Sequence, residues 1–384
     1  MTAIHSKIKI MHVISRMNVG GPAVMISESI RMLDSNRFEQ KLYSGDCEPW
    51  EADYLGTHAQ DINSIRVRGL GRKVNFTGDI TALILLYRAI KEYQPDIIHT
   101  HASKAGVLGR LAAILSRQDC KLVHTFHGHI LFGYFGKSKT KIFATIERVI
   151  AKKTDVLVAV GMKVRDDLLK AKIGVLKQYL VIYPGVKKPQ SYNKEIARQL
   201  LGIEIPDGNL VCAYFGRLTQ IKRPDRFLSV AKDCQELSLP ISFFMAGDGD
   251  ESATTRNTIE KYGLNVLLLG WQENVGLVLS AADILLITSD NEGLPLSAIE
   301  AGMVSLPVIS TDVGSIREIV VDGETGFIAE RNHPDIVSKL LNLIEDFSLN
   351  STLGESAHTR TQSKFSSEQY ISSLEILYES MLLR

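Results

Sequence analysis

Two carboxylates beside a predicted strand end carry the most specific chemical signal in this chain. Glu292 and Glu300 are separated by seven residues. A short apolar strand is predicted over 283–288, and a helix is predicted over 295–304. Ligands of α/β domains bind at the carboxyl ends of the strands. Carboxylates placed there are suited to accept hydrogen bonds from the hydroxyl groups of a ligand.

The predicted helix start between these carboxylates is suited to an anion. Pro295 is expected in the first helical turn, where a missing N–H is no loss. The backbone N–H groups of Gly293, Leu294 and Leu296 then point outward, and the helix dipole adds to their attraction for negative charge. A phosphate held between two groups that bind hydroxyls describes a nucleotide-sugar.

A glycine and two basic residues follow the first strand of the second half, in the segment GRLTQIKRP at 216–224. Gly216 allows close approach to the backbone. Arg217 offers a planar fork to phosphate oxygens, and Lys222 offers a compact charge. Alone, the segment is equally well explained as an ordinary charged loop. Together with the two carboxylates it indicates a phosphate site.

Short glycine-rich turns follow three other strands, and each is a weak signal by itself. Gly20 and Gly21 lack the G-x-G-x-x-G pattern of nicotinamide cofactor sites. They allow a phosphate or sugar to approach, although a turn with positive φ explains them equally well. The sequences Gly247-Asp248-Gly249-Asp250 and Gly270-Trp271 are expected either to line a nucleobase slot or to be plain turns.

Histidines cluster at the ends of two neighbouring strands, at positions 99, 101, 124, 127 and 129. A metal site is one reading of these residue types, but no carboxylate or cysteine lies at ligand spacing. A metal site at these histidines is therefore not expected. His127 is the best candidate to face a substrate, as a hydrogen-bond donor. The other four are expected to be structural histidines.

A lysine-rich segment, 136–153, carries an apolar stripe at helical spacing. The stripe consists of Ile142, Phe143, Ile146, Val149 and Ile150. Core packing is the commonest role of such a stripe. With this charge, a peripheral contact with the anionic inner leaflet of a membrane is the alternative.

Composition describes a globular protein of two domains. The chain has 384 residues, of which 45% are hydrophobic and 23% charged. Residues 1–185 hold 27 basic against 16 acidic side chains, and 186–384 hold 17 against 27, so the first half is expected to meet anions. A nucleic-acid partner is not expected. Scattered cysteines and the lack of a secretory pattern predict a cytoplasmic protein, with attachment to the inner membrane face as the alternative.

Strands and helices are predicted to alternate along both halves, which indicates a parallel sheet in each. Strands are predicted at 9–14, 41–44, 64–67, 97–100, 122–126, 156–160, 180–183, 210–215, 241–246, 266–269, 284–288 and 308–310. Helices are predicted at 23–33, 79–93, 105–116, 140–152, 163–170 and 367–383. The predicted fold is α/β, with two Rossmann-like doubly wound domains, 1–185 and 186–366, facing across a cleft.

The motifs above resemble those of the family 4 retaining glycosyltransferases of the GT-B fold, over nearly the whole chain. The stretches 99–110 and 124–129 resemble a bacterial subgroup that builds surface polysaccharides, such as capsule and lipopolysaccharide, and lipid-linked glycans. The resemblance implies that 1–185 binds the acceptor, that 186–366 binds the donor, and that 367–384 packs back on the first domain. It implies a metal-independent reaction with a UDP-sugar as co-substrate.

The resemblance also assigns roles to single residues. Arg217 and Lys222 are expected to hold the donor diphosphate, and His127 to touch the donor sugar. Glu292 is expected to bind the sugar hydroxyls, and Glu300 those of the ribose. The remaining donor-binding residues are expected to be Gly20, Gly21, Gly216, Asp248, Gly249, Gly293, Leu294, Pro295 and Leu296.

Two positions depart from the family pattern. Ser305 stands where a helix-ending glycine is usual, and the junction reads Tyr183-Pro184-Gly185-Val186 where an asparagine before the glycine is usual. Neither change removes a charged donor contact. The function implied is retaining transfer of a hexose or N-acetylhexosamine from a UDP-sugar to a glycan or lipid-diphosphate acceptor. A nucleotide-sugar epimerase of the same architecture is the alternative.

Overall fold

The computed structural model describes residues 7–49, 51–128 and 137–382, and the side chains of 137–139 are outside this description. The chain forms two compact units, one of Met1–Gly185 with Ser367–Arg384 and the other of Val186–Ser366. Each unit is built on one parallel β-sheet covered by helices, so the predicted pair of doubly wound α/β domains is confirmed.

Among the described residues, the first unit contains seven strands and seven α-helices. The strands are β1 (Ile8–Ile14), β2 (Phe38–Ser44), β3 (Ser64–Arg66), β4 (Ile97–His101), β5 (Lys121–Phe126), β6 (Val156–Ala159) and β7 (Tyr179–Val181). The helices are α1 (Gly21–Met32), α2 (Tyr54–Thr57), α3 (Phe76–Tyr93), α4 (Ser103–Ser116), α5 (Lys137–Ala151), α6 (Met162–Lys170) and, from the end of the chain, α15 (Ser367–Leu382).

The second unit contains six strands and eight helices among the described residues. The strands are β8 (Leu210–Phe215), β9 (Ile241–Ala246), β10 (Val266–Gly270), β11 (Ile284–Ile287), β12 (Val308–Thr311) and β13 (Gly326–Ala329). The helices are α7 (Lys194–Leu200), α8 (Pro224–Glu236), α9 (Ser252–Tyr262), α10 (Val275–Ala281), α11 (Leu296–Met303), α12 (Ile316–Ile319), α13 (His333–Glu345) and α14 (Phe347–Lys364).

Strand order creates one switch point in each sheet. The first sheet runs β3-β2-β1-β4-β5-β6-β7, and the second runs β10-β9-β8-β11-β12-β13. The chain winds outward in both directions from β1 and β4, and likewise from β8 and β11. Loops that follow these strands diverge to opposite sides and leave a crevice, where ligands of this class of fold bind. The residues singled out in the sequence lie in or beside those loops.

The cores consist of strand residues and one face of each helix. β11 is buried along its length, as expected for a central parallel strand covered on both faces. In the second unit Phe227, Val230 and Ala231 from α8 pack with Cys212 and Tyr214 from β8. In the first unit α15 buries its Tyr370, Leu374, Leu377 and Tyr378 side chains. The strands that carry the candidate residues are therefore rigidly held.

Candidate functional site

Lys222 and Glu292 form an ion pair at the switch point of the second sheet. The Lys222 Nζ atom lies 2.7 Å from the Glu292 Oε1 atom, and both side chains are mostly shielded from solvent. The hydroxyl of Ser289 donates a hydrogen bond to the same oxygen at 2.8 Å. A cation and a carboxylate expected to contact different parts of a ligand are thus paired with each other. A ligand phosphate that approaches Lys222 competes with Glu292 for it.

The loop that carries Lys222 is anchored to the end of β11. The hydroxyl of Thr288 donates to the carbonyl oxygens of Lys222 and Arg223, each at 3.0 Å. The amide of Asp290 donates to the carbonyl of Ile221 at 2.8 Å. Thr288 is fully buried, so these bonds are sheltered from water. The backbone that presents Lys222 is therefore fixed before a ligand binds.

Arg217 is the available cation of this loop. Its side chain is exposed, and among the described residues it has no ionic or hydrogen-bonding partner. Its backbone is fixed, because the buried Tyr214 hydroxyl donates to the Arg217 carbonyl at 2.9 Å. An unpaired guanidinium on a fixed backbone can bind a phosphate through two parallel hydrogen bonds.

Two glycines of the loop that follows β9 allow close backbone packing. A Cβ atom at Gly247 would lie 1.9 Å from the Gly216 carbonyl oxygen, and one at Gly249 would lie 2.3 Å from that of Leu218. The amide of Gly247 also donates to the Gly270 carbonyl at 2.7 Å. These contacts join the loops that follow β8, β9 and β10. The glycine-rich sequences at 247–250 and 270–271 therefore lie at the same edge of the sheet.

The Asp248 carboxylate is used locally. It accepts a hydrogen bond from the Gly249 amide at 2.8 Å and another from the hydroxyl of Ser252, the first residue of α9. These contacts shape the turn. The backbone carbonyl of Asp248 accepts a hydrogen bond from the Leu218 amide at 3.0 Å, which joins the loops after β8 and β9.

The helix α11 begins one residue later than predicted. Pro295 is its N-cap, with φ −71° and ψ 115°, and Leu296 is the first helical residue. The prediction that Pro295 lies in the first turn is therefore wrong. Its ring fixes φ but leaves ψ free to remain extended. Within the described chain, the amides of Gly293 and Leu294 have no hydrogen-bond acceptor, so they are free to bind an anion beside the helix start.

Gly314 holds the segment with these free amides in place. Its φ of +51° is left-handed, and a Cβ atom there would lie 2.0 Å from the Glu292 carbonyl oxygen. The amide of Ser315 donates to the Gly293 carbonyl at 2.9 Å. This support was not predictable from the sequence. The only available signal was the sequence Asp312-Val313-Gly314-Ser315 after β12, which is indistinguishable from an ordinary turn.

Glu300 lies on α11 and is partly exposed. Among the described side chains it has no hydrogen-bond or ionic partner. Desolvation by the surrounding protein raises the pKa of its carboxyl to about 7. A ligand hydroxyl that hydrogen-bonds to this carboxylate would favour the ionised form.

Ser305 adopts the left-handed conformation after α11, with φ +61°. The serine therefore keeps the geometry that the glycine of the family pattern would supply. A non-glycine residue in the left-handed conformation lowers the free energy of unfolding by about 1 kcal/mol.

In the first unit, Gly20 caps the helix that follows β1, and Gly21 is the first residue of that helix. The Gly20 carbonyl accepts from the Ala23 amide at 3.1 Å. Of the atoms in the described ranges, a Cβ atom at Gly20 would meet only the Asn18 carbonyl oxygen, at 4.0 Å. The surface beside Gly20 is thus open enough for a ligand to approach the backbone.

Four histidines of the first unit lie side by side. His12 on β1 pairs in register with His99 on β4, and His101 follows two residues later on the same face. His127 comes directly after β5, and its Nε2 atom lies 3.1 Å from the His101 Nδ1 atom. His12 was missed by sequence reasoning, because a single histidine within an apolar strand carries no motif. His129 lies outside the described residues.

His124 belongs to the structural framework. Its Nδ1 atom lies 2.9 Å from the Thr100 hydroxyl. A Cβ atom at Gly106 would lie 2.4 Å from its Cε1 atom, so α4 packs directly on this ring. Its pKa is held well below the usual value by burial and by the nearby Arg110 guanidinium.

A metal ion has three candidate ligands here. Ring nitrogens of His12, His99 and His101 lie within 4.8 Å of one another. Each of these rings already uses both nitrogens in hydrogen bonds to described residues. A metal would have to displace those bonds, and no carboxylate or cysteine of the described chain belongs to the group. The expected absence of a metal remains a prediction.

The lysine-rich helix α5 does not bury its whole apolar stripe. Ile150 is buried, but Ile142 and Val149 are 60% and 61% exposed. The inward face is formed in part by Ala144 and by Glu147, which is paired with the buried Arg110 at 2.6 Å. Core packing therefore explains only part of the stripe. Residue 136 lies outside the described chain.

Family models match both halves of the chain. The model described as Glycosyltransferase Family 4 matches residues 19–188, and the model described as Glycosyl transferases group 1 matches residues 198–360. Together they span most of both units.

Two bacterial relatives are named as glycosyltransferases. The UDP-Gal:alpha-D-GlcNAc-diphosphoundecaprenol alpha-1,3-galactosyltransferase of Escherichia coli is 29% identical over 100% of both chains. The capsular polysaccharide biosynthesis glycosyltransferase CapM of Staphylococcus aureus is 24% identical over 81% of this chain and 83% of its own. The crystal structure of Anabaena HepE in complex with UDP and glucose superposes with a TM-score of 0.80, at 19% identity, over 97% of this chain and 100% of HepE.

Proposed function

This chain is a glycosyltransferase of the GT-B fold, with a Family 4 first half and a group 1 second half, and we propose that it transfers a hexose or N-acetylhexosamine from a UDP-sugar to a lipid-linked diphosphate acceptor. The product would serve the synthesis of a bacterial surface polysaccharide. The observation that carries the proposal is the Lys222–Glu292 pair, which joins two neighbouring loops at the switch point. The loop after β8 carries Arg217 and Lys222, and the loop after β11 carries the free amides of Gly293 and Leu294.

The choice of donor and acceptor rests on similarity. The E. coli relative, which matches over its full length, is named for UDP-Gal and for a sugar-diphosphoundecaprenol acceptor. The solved structure of HepE contains UDP. A glycan without a lipid is the second acceptor class, because CapM is named for capsular polysaccharide.

The proposed chemistry is stabilisation of a departing diphosphate. As the bond between sugar and phosphate breaks, negative charge grows on UDP, and Arg217, Lys222 and the Gly293 and Leu294 amides are aimed at it. Preorganised charge of this kind is usually the largest catalytic term. The pair with Glu292 already holds the Lys222 ammonium in position at the switch point.

Glu292 and Glu300 would bind hydroxyl groups of the donor sugar and of the ribose. Glu292 retains a second carboxylate oxygen when Oε1 is occupied by Lys222 and Ser289. The raised pKa of Glu300, about 7, means that donor binding should strengthen as this carboxyl ionises. We propose further that the reaction retains the anomeric configuration. The α-1,3 linkage in the name of the E. coli relative is the product of retention from an α-linked donor.

The test is a product assay with the purified full chain. UDP-galactose, UDP-glucose and their N-acetylamino counterparts are each incubated with and without a GlcNAc-diphospholipid. Transfer with an α linkage, seen by NMR, is the expected outcome. A new epimer of the donor in the absence of acceptor would favour the epimerase instead.

We also propose that the first unit rests on an anionic lipid leaflet. Ile142 and Val149 project from α5, next to the exposed Lys141, Lys152 and Lys153. An apolar stripe flanked by lysines matches the apolar and anionic layers of a membrane surface. No helix in the described ranges has the length and apolar content required to cross a bilayer.

A second stripe lies on a neighbouring helix of the same unit. Phe76, Ile80, Ile84 and Tyr87 recur at helical spacing along α3, and Phe76 is 80% exposed. The helix α4 packs against both α3 and α5. Both helices that carry an exposed stripe therefore lie beside α4.

Replacing Ile142 and Val149 together by glutamate should weaken binding to vesicles at least tenfold, because the change removes apolar contact and adds negative charge. The measurement is co-sedimentation with vesicles of phosphatidylglycerol and phosphatidylcholine. Leu237→Glu is the matched control, since Leu237 is 59% exposed on the second unit. Equal binding of the double variant and the wild type would contradict the contact.

A further inference from the structure

A continuous row of four side chains crosses the interior of the first unit. The Gln40 Oε1 atom lies 3.1 Å from His12 Nε2, and His12 Nδ1 lies 3.4 Å from His101 Nε2. His101 Nδ1 then lies 3.1 Å from His127 Nε2. His12 and His101 are at most 2% exposed. We refer to these residues, Gln40, His12, His101 and His127, as the imidazole row.

At the Gln40 end of the imidazole row, the direction of the hydrogen bond is fixed. The Gln40 Nε2 atom donates to the backbone carbonyls of Ser29 and Ile30, at 3.2 and 3.4 Å. Those two acceptors determine which way the amide faces. The Oε1 atom must therefore point to His12, and since it can only accept, the proton of His12 must lie on Nε2.

The rings of the imidazole row are neutral near pH 7. Burial lowers the pKa of His12 and of His127 to about 4. Burial lowers the pKa of His101 well below its usual value, and the neighbouring rings lower it further. A neutral imidazole carries one proton, so one ring nitrogen donates and the other accepts.

The direction of each remaining hydrogen bond in the row then follows from the one before it. With its proton on Nε2, His12 has a bare Nδ1, so His101 must donate from its Nε2. His101 is then bare at Nδ1, so His127 must donate from its Nε2. The last atom, His127 Nδ1, is left with a lone pair. It is buried, and it has no partner among the described residues.

We propose that the imidazole row fixes His127 as a hydrogen-bond acceptor, and that its Nδ1 atom receives a hydroxyl group of a sugar substrate. Gln40, His12 and His101 act as positioning residues that set the tautomer of this contact. The sugar contact rests on the proposed function, whereas the tautomer does not. The role is the reverse of the donor role expected for His127 from the sequence.

The tautomer is tested first, by long-range nitrogen–proton NMR on protein with labelled histidine. The wild type should show His127 with its proton on Nε2 and none on Nδ1. Gln40→Met should produce a mixture of tautomers in the row. Gln178→Met is the matched control, because the Gln178 amide also donates to two backbone carbonyls, those of Ala151 and Thr154, but lies outside the row. It should leave the wild-type pattern unchanged.

A proton on Nδ1 of His127 in the wild type would overturn the proposal. So would a Gln40→Met spectrum in which the row keeps a single tautomer. Because the wild-type spectrum needs no variant, the proposal stays testable even when Gln40→Met fails to fold.

Fluorinated substrates test the direction of the sugar contact. An acceptor at His127 requires a hydroxyl that donates, and carbon-bound fluorine cannot donate. Dissociation constants are measured for UDP-hexoses, for their monodeoxy and monodeoxyfluoro analogues, and for the same analogues of the acceptor sugar. At one position, on either the donor or the acceptor, both replacements should weaken binding about tenfold in the wild type.

In His127→Phe the same replacements should have no effect on binding at that position. Fluorine that restores wild-type affinity there would show that the protein donates, and would overturn the inference. Failure of every UDP-sugar to bind would instead contradict the proposed function, while leaving the NMR result for the tautomer intact.

Discussion

Lys222→Ala should lower the rate of transfer by about 10² to 10³-fold, because the variant loses a fixed cation beside the departing diphosphate. The loss should fall mainly on kcat, since charge on the leaving group is greatest in the transition state. The chain should remain folded, because the Thr288 and Asp290 bonds to this loop involve only its backbone. Initial rates at saturating UDP-sugar, with circular dichroism of both proteins, provide the measurement.

Lys232→Ala is the control for the first prediction. Lys232 lies on α8 of the same unit, is 45% exposed, and pairs with Glu236 only at 3.6 Å. It should retain wild-type kcat. A folded Lys222→Ala enzyme with full activity would show that Lys222 does not contribute to catalysis.

Gly314→Ala should reduce activity on the order of 10²-fold by moving the segment that precedes α11. The added methyl would lie 2.0 Å from the Glu292 carbonyl oxygen and 2.7 Å from that of Gly293. Both atoms are backbone, so the segment itself must shift. Misplacement of a positioning group by about 1 Å can cost this much in rate. Steady-state kinetics and the free energy of unfolding are measured together.

Gly323→Ala separates backbone strain from the collision. Gly323 also has a positive φ, of +76°, but a Cβ atom there meets nothing within 4 Å. Both variants should lose about 1 kcal/mol of stability from the left-handed conformation. Only Gly314→Ala should lose activity as well. Equal activity of the two variants would show that the Glu292–Gly293 segment need not be held in place.

Most strands of the two sheets were predictable from the sequence, because parallel strands buried on both faces appear in it as short apolar runs. The runs at 210–215 and 241–246 became β8 and β9 without a change of boundary. The strand β13 was missed. It has only four residues, begins with glycine, and is defined by its pairing with β12, which local pattern does not reveal.

Candidate site residues were recognisable because glycine, carboxylate and basic residues at the carboxyl ends of strands are typical of ligand binding. Their contacts were not recognisable. The pair between Lys222 and Glu292 joins residues seventy positions apart, and it forms because β8 and β11 are neighbours at the switch point. The imidazole row likewise depends on β1, β4 and β5 lying side by side, so His12 gave no signal in the sequence.

The central claim is that the cations after β8 and the free amides after β11 together hold the leaving diphosphate at the switch point of the second sheet. A crystal structure of the full chain with UDP tests it most directly. The account predicts the diphosphate oxygens within hydrogen-bonding distance of the Arg217 guanidinium, the Lys222 ammonium and the Leu294 amide. A well-ordered UDP whose diphosphate touches none of these three groups would contradict it.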